Sequence, residues 1–253
     1  MALPHARQLA GSGGSLLLMT SVWHGEPLAP RRYFEDRALA LAGQPTDTKV
    51  ILDERPSVAI RRVAEERPGA VVCMATHGRN AFGQAVLGST AEAVVREIDR
   101  PVFLVGPKAA YDLRRADAHN LVVAVESTDT ADRLTPVATS LADRQHLHLW
   151  AVESVPPAPY PFVADAQVAQ PTAEAVGIDQ LVSRLDERHH SAEAKVISAV
   201  DPADAIVHFA TELPATYVLV GTHGRSGFSR WALGSVAMRV VHRCPCPVVV
   251  VPQ

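Results

Sequence analysis

The same thirty-residue passage occurs twice in this chain, and that constrains its fold more than any other feature. Residues 76–105 read THGRNAFGQAVLGSTAEAVVREIDRPVFLV and residues 222–251 read THGRSGFSRWALGSVAMRVVHRCPCPVVVV; they align without a gap at an offset of 146, with 14 of 30 positions identical. Self-similarity on this scale means two copies of one structural unit, and 253 residues suffice for two domains with a core each. In each copy an apolar run (AVVCMA, 70–75; YVLVG, 217–221) reads as a buried strand followed by a glycine-rich turn. A helix then opens at Gly-Ser with apolar positions at helical spacing: Val86, Ala93, Val94 and Ile98 in the first copy, Leu233, Val236, Val240 and Val241 in the second. A proline ends it, and a β-branched strand closes the unit (VFLV, VVVV).

The second half predicts a strand over 121–126, a helix capped by Asp129 and running to about residue 142, and a strand over 146–155. A proline-rich loop (156–162), a helical stretch (172–190), a strand (194–200) and a helix opened by Asp201-Pro202 and running to about residue 213 follow. Strands alternating with helices imply a parallel sheet covered on both faces. The polar segment 108–119 marks the boundary, giving domains 1–108 and 119–253.

Composition narrows the function. The net charge of −3 leaves no basic footprint for nucleic acid. No apolar run approaches the ~20 residues of a membrane helix, and the first fourteen residues lack the apolar core of a signal peptide. A cytoplasmic protein without a membrane partner is expected. Three cysteines, Cys73, Cys244 and Cys246, do not make a disulfide framework. The C-P-C-P stretch has no further ligand nearby, so it reads as two small apolar residues entering a strand rather than as a metal site.

The chemistry concentrates after strand 217–221, in Gly221-Thr222-His223-Gly224, nine residues, then Gly234-Ser235. Gly221 ends the strand where a side chain would block a close ligand, and Gly224 permits a sharp turn. Gly234-Ser235 opens a helix whose unpaired N–H groups favour an anion. Ser235 is expected to cap that helix and to offer its hydroxyl to a phosphate. The site lies beyond the carboxyl ends of parallel strands, where such sheets bind ligands.

This spacing, G-x2-G-x9-G-[ST] after a strand and before a helix, resembles the universal stress protein family, and the resemblance spans nearly the whole chain as two tandem units. It implies an α/β fold of two doubly wound, Rossmann-like domains of the adenine nucleotide alpha hydrolase-like type. Each would have a five-stranded parallel sheet in the order 3-2-1-4-5. In the ATP-binding branch of that family the loop holds phosphates and ribose, an acid ending the first strand contacts the adenosine part, and a valine ending the second strand lies against adenine. Carried over, the nucleotide-binding residues are Glu126, Val152, Val220, Gly221, His223, Gly224, Arg225, Gly234, Ser235 and Val236. Glu126 stands where the family has Asp, Ser127 where a Gly often follows, and Ala237 lacks a hydroxyl that some members have. The resemblance implies ATP, or AMP or ADP, with or without Mg, in a regulatory stress-response role. The family pairs its units through the last strands, which implies a homodimer by way of VFLV or VVVV, formed within the chain, between chains or both. No nucleophile, poised base or metal cluster is evident, so binding with little or slow hydrolysis is expected. A nucleotide-free interaction scaffold and a slow ATPase are the alternatives.

The first half departs from this pattern. Its loop reads Ala75-Thr76-His77-Gly78, nine residues, Gly88-Ser89, so a methyl stands where the motif has glycine. Residues 3–10 align with 134–142, which places the counterparts of strand 121–126 and of Glu126 before residue 1. The family's sheet order then predicts a gap of ~10 Å with unpaired backbone on both sides. Whether the chain starts further upstream or this half is a reduced unit with a rearranged sheet stays open. As written, this half is expected to bind nucleotide poorly or not at all. Gly11-Ser12-Gly13-Gly14-Ser15 follows a helix rather than a strand, so it reads as a helix-ending turn and not as a phosphate loop. His146 and His148 are expected on one face of a strand, without a third metal ligand.

Overall fold

The computed structural model describes residues 2–22, 34, 41, 43–76, 87–109, 119–157, 175–186, 191–214, 216–222 and 233–252. The elements run α1 (Leu3–Ala10), β1 (Leu16–Val22), β2 (Thr46–Leu52), α2 (Pro56–Glu65), β3 (Val72–Ala75), α3 (Ser89–Glu97) and β4 (Val102–Val105) in the first half. The second half has β5 (Asn120–Val125), α4 (Thr128–Gln145), β6 (His148–Val155), α5 (Ala175–Asp186), β7 (Ala192–Ser198), α6 (Pro202–Glu212), β8 (Thr216–Gly221), α7 (Ser235–Arg243) and β9 (Val248–Val251).

Seven of these strands form one sheet in the order β3-β4-β9-β8-β5-β6-β7. All its pairings are parallel except β4 with β9, where Phe103 lies opposite Val249. The second half thus contributes the order 3-2-1-4-5 expected of it. Alternation along the strands serves two cores. Leu121, Val123, Leu149, Ala151 and Leu219 face α4 and α5. Val122, Val152, Val218 and Val220 face α6 and α7. The runs are apolar throughout because both faces of a parallel sheet are covered.

The antiparallel seam realises one of the pairings expected of the last strands, that within the chain. VFLV and VVVV are wholly buried, and each would be an aggregation-prone edge if left open. The chain pairs them with each other, and β8 and β3 take their remaining sides. A homodimer formed through the last strands therefore has no free strand edge to use.

The gap expected in the first half is found in the structure. Among the described residues the first half has four strands in two parallel pairs, β1-β2 standing apart from β3-β4. The strand that would lie between β1 and β3 is absent from this set. All residues of β1 and β3 are accordingly half-exposed, whereas those of β8 are buried up to Val220. α1 touches both pieces. It packs on β1, and its Ala2 carbonyl accepts from the Cys73 Sγ of β3 at 3.8 Å.

Local signals explain the helix ends. Gly11 (φ 61°) closes α1, its N–H reaching Arg7 O and Gln8 O, which makes Gly11–Ser15 the helix-ending turn expected. Asp201 caps α6 by accepting from Ala203 N at 2.9 Å. Ser127, not Asp129, caps α4, because its hydroxyl sits one position outside the helix and accepts from Thr130 N. His146 takes the left-handed C-cap position of α4 (φ 55°), so it shares no strand face with His148.

Two consequences can be measured. Gly106 follows β4, and a Cβ there would lie 2.3 Å from the Val241 carbonyl of α7. Gly106→Ala should therefore strain the contact between the halves and cost ~1–3 kcal/mol in urea denaturation. Gly13→Ala, which meets nothing within 4 Å, should not. Second, His5 is 1 % exposed, neither ring nitrogen has a hydrogen-bond partner among the described residues, and burial lowers its pKa from 6.5. The unfolded chain therefore takes up this proton at a higher pH than the folded one. Its contribution is fully present above pH ~6.5 and is lost as pH falls toward the folded value. His5→Leu should flatten that part of the melting-temperature profile between pH 7.5 and 5; a profile parallel to wild type would refute the assignment.

Candidate functional site

The second-half loop is closed at its neck by a backbone clasp. Gly234 N donates to Thr222 O at 2.5 Å, and Thr222 N donates to Val251 O at 3.0 Å. The first half repeats the device, with Gly88 N on Thr76 O (2.9 Å) and Thr76 N on Val105 O (3.1 Å). Both threonines are buried. Each loop thus leaves its strand, returns within hydrogen-bond reach and enters a helix at a fixed point. The threonine was not singled out from sequence, although its recurrence ahead of His-Gly in both copies was the available signal.

Gly234 occupies the N-cap position of α7, with no side-chain cap, and Ser235 is the first helical residue. This corrects the expectation that Ser235 caps the helix. The Gly234 carbonyl accepts the first helical bond, from Met238 N at 2.9 Å. The N–H groups of Ser235, Val236 and Ala237 have no carbonyl within the helix to meet. They stand at the positive end of the helix dipole, at the carboxyl end of β8.

Three salt bridges that sequence reasoning missed aim this helix. Arg239 Nη1 lies 2.5 Å from Asp201 Oδ2. Arg243 pairs with Asp204 and sits 3.7 Å from Asp201 Oδ2. They tie α7 to the first turn of α6. The i,i+4 arginines facing D-x-x-D were the signal.

The remaining candidates gather on the same side of the sheet. Ala124 of β5 lies opposite Val152 of β6. Val152 and Val220 share one apolar cluster with Leu233 and Ala237, and Ala124 and Val236 pack against it. Glu126, two residues past Ala124 and half-buried, falls by alternation toward this side. Gly221 ends β8. Val152 is 1 % exposed, so its side chain belongs to the core rather than to an open wall. In the first half Ala75 ends β3, Gly88 is the N-cap of α3 and Ser89 opens it. No described strand supplies a counterpart of Glu126 there.

His223, Gly224 and Arg225 of the second loop, and His77 and Gly78 of the first, lie outside the described residues. Among the described residues no group of three or more His, Cys, Asp or Glu is placed to hold a metal, and no helix is long and apolar enough to cross a membrane.

Comparison with known proteins agrees with this geometry. The sequence profile of the Universal stress protein family matches residues 6–106 and again 118–252. A universal stress protein of Mycolicibacterium smegmatis is 27% identical over 78% of this chain and 66% of its own length. One from Mycobacterium tuberculosis strain H37Rv is 29% identical over 74% of this chain and 61% of its own length. The chain thus spans about two thirds or less of the length of these relatives. Among solved structures, a universal stress protein from Archaeoglobus fulgidus has a TM-score of 0.65 at 18% identity, covering 98% of this chain and 92% of that one. A protein of unknown function from Pseudomonas aeruginosa PAO1 has a TM-score of 0.65 at 19% identity, covering 98% and 86%. Two profile matches, one on each copy of the repeat, establish that the chain belongs to the universal stress protein family.

Proposed function

We propose that the second half binds an adenine nucleotide, ATP in first place, and that the protein acts as a nucleotide-responsive regulator in the stress response. The observation that carries this reading is the clasped neck, Gly234 N on Thr222 O, which presents the N–H groups of Ser235, Val236 and Ala237 at the carboxyl ends of parallel strands. Phosphate oxygens meet those donors, and Glu126 accepts from a ribose hydroxyl or an amino group. Glu126 is the single carboxylate in this set, so Mg would be held chiefly by phosphate oxygens and water. The nucleotide is bound and little hydrolysed, since this set holds no paired nucleophile and base. The first half, where Ala75 stands in place of Gly221 and no described strand supplies a counterpart of Glu126, binds poorly or not at all.

One observation favours a second reading, that of a nucleotide-free scaffold. Val152, assigned to the adenine, is enclosed in the core. Mass spectrometry of ligand released from the purified protein separates the two readings: co-purified adenine nucleotide supports the first, and its absence, with no melting shift on adding ATP, supports the second.

Two variants test the site itself. Ser235→Asp places a carboxylate at the first turn of α7, where the dipole tolerates it, but also where the phosphates would sit. Melting should be unchanged or raised while ATP affinity drops at least ~10-fold in calorimetry, as expected from the loss of charge-assisted hydrogen bonds. Ser89→Asp, at the matching place in the first half, should leave affinity unchanged. Equal effects of the two would overturn the one-site reading.

A further inference from the structure

We propose that the outer edge of β7 pairs with the same edge of a second copy of this chain, antiparallel about Ala194. β7 is the last strand of the seven-stranded sheet. It is paired with β6 on one side and, among the described residues, with no strand on the other. Ser191 O accepts from Leu149 N at 3.0 Å, and Ala199 N donates to Val155 O at 2.9 Å, so the odd-numbered residues turn their backbone groups toward β6. Ala192, Ala194, Val196 and Ser198 turn theirs outward, because successive residues alternate. Glu193, Ala194, Lys195 and Val196 are all exposed, Val196 at 50%. Consecutive residues point to opposite faces, so neither face of this stretch is covered.

An open edge of this kind invites another strand, and its charge pattern names the partner. A two-fold axis through Ala194, perpendicular to the sheet, sets Ala192 opposite Val196 of the second copy and Glu193 opposite its Lys195, with the reverse pairs on the other side of the axis. Ala192, Ala194 and Val196 then exchange backbone hydrogen bonds. The Glu–Lys pairs fall at the positions between them, where opposed side chains come closest. Moving the axis by one residue sets Glu193 against itself or Lys195 against itself, so the charges favour this register over its two neighbours. Glu193 Oε1 lies 3.2 Å from His148 Nε2, and its side chain is 58% exposed, which leaves the other carboxylate oxygen for the lysine. The seam between β4 and β9 leaves this edge and that of β3 as the ends of the large sheet.

Sedimentation velocity on the full chain tests the pairing. A species of twice the chain's 27.1 kDa is expected, populated by ~100 µM protein, as for a dimer of micromolar dissociation constant. Lys195→Glu and Glu193→Lys each set like charges opposite one another and should weaken association at least ~10-fold, with circular dichroism unchanged. The double exchange Glu193→Lys/Lys195→Glu rebuilds the complement and should restore the dimer. A wild-type chain that stays monomeric, a dimer indifferent to Lys195→Glu, or a double variant that stays monomeric would overturn the proposal.

Discussion

The antiparallel pairing of β4 with β9 is the contact on which the rest of the structure depends. VFLV and VVVV are apolar on both faces, and burying such side chains stabilises by ~1.5–3 kcal/mol each. Neither can remain an edge, and each finds its complement in the other copy of the repeat. The pairing joins β3 and β4 of the first half to the five strands of the second in one sheet with continuous cores on both faces. It also leaves neither last strand a free edge, so any pairing between chains through a strand edge must use a different strand.

The candidate site depends on that seam indirectly. Thr222 N bonds to Val251 O at the end of β9, and Thr222 O holds Gly234. The start of α7 is therefore referenced to the strand that makes the seam. Arg239 and Arg243 hold the same helix against α6. A helix N-terminus is a good anion site only when its direction is fixed, because free amide donors that move must be ordered again by the ligand. Among the described residues the two halves share the clasp but not the strand beside it. That difference, more than any single substitution in the loops, separates a complete candidate site from an incomplete one.

Much of this was legible in the chain itself. The repeat gave two units, the unbroken apolar runs gave a parallel sheet, and Gly234-Ser235 gave the helix start. The errors were local or topological. Ser127 took the cap assigned to Asp129, since the polar run Ser127-Thr128-Asp129 offers several cap positions within one turn. His146 left the strand because a left-handed cap is set by the helix that precedes it. The burial of Val152 was not legible either, because alternation tells which face a residue takes but not how deeply that face is covered.

By itself the sequence determined the elements and the glycine-framed helix start, which follow from local spacing and side-chain chemistry, while the strand order of the second half came from the family resemblance. Tertiary structure alone decided that the two last strands meet in one chain, that the first half divides into two strand pairs, and that buried threonine carbonyls close both loops. These are contacts between residues far apart in sequence, and no local preference records which of several compatible apolar edges will meet.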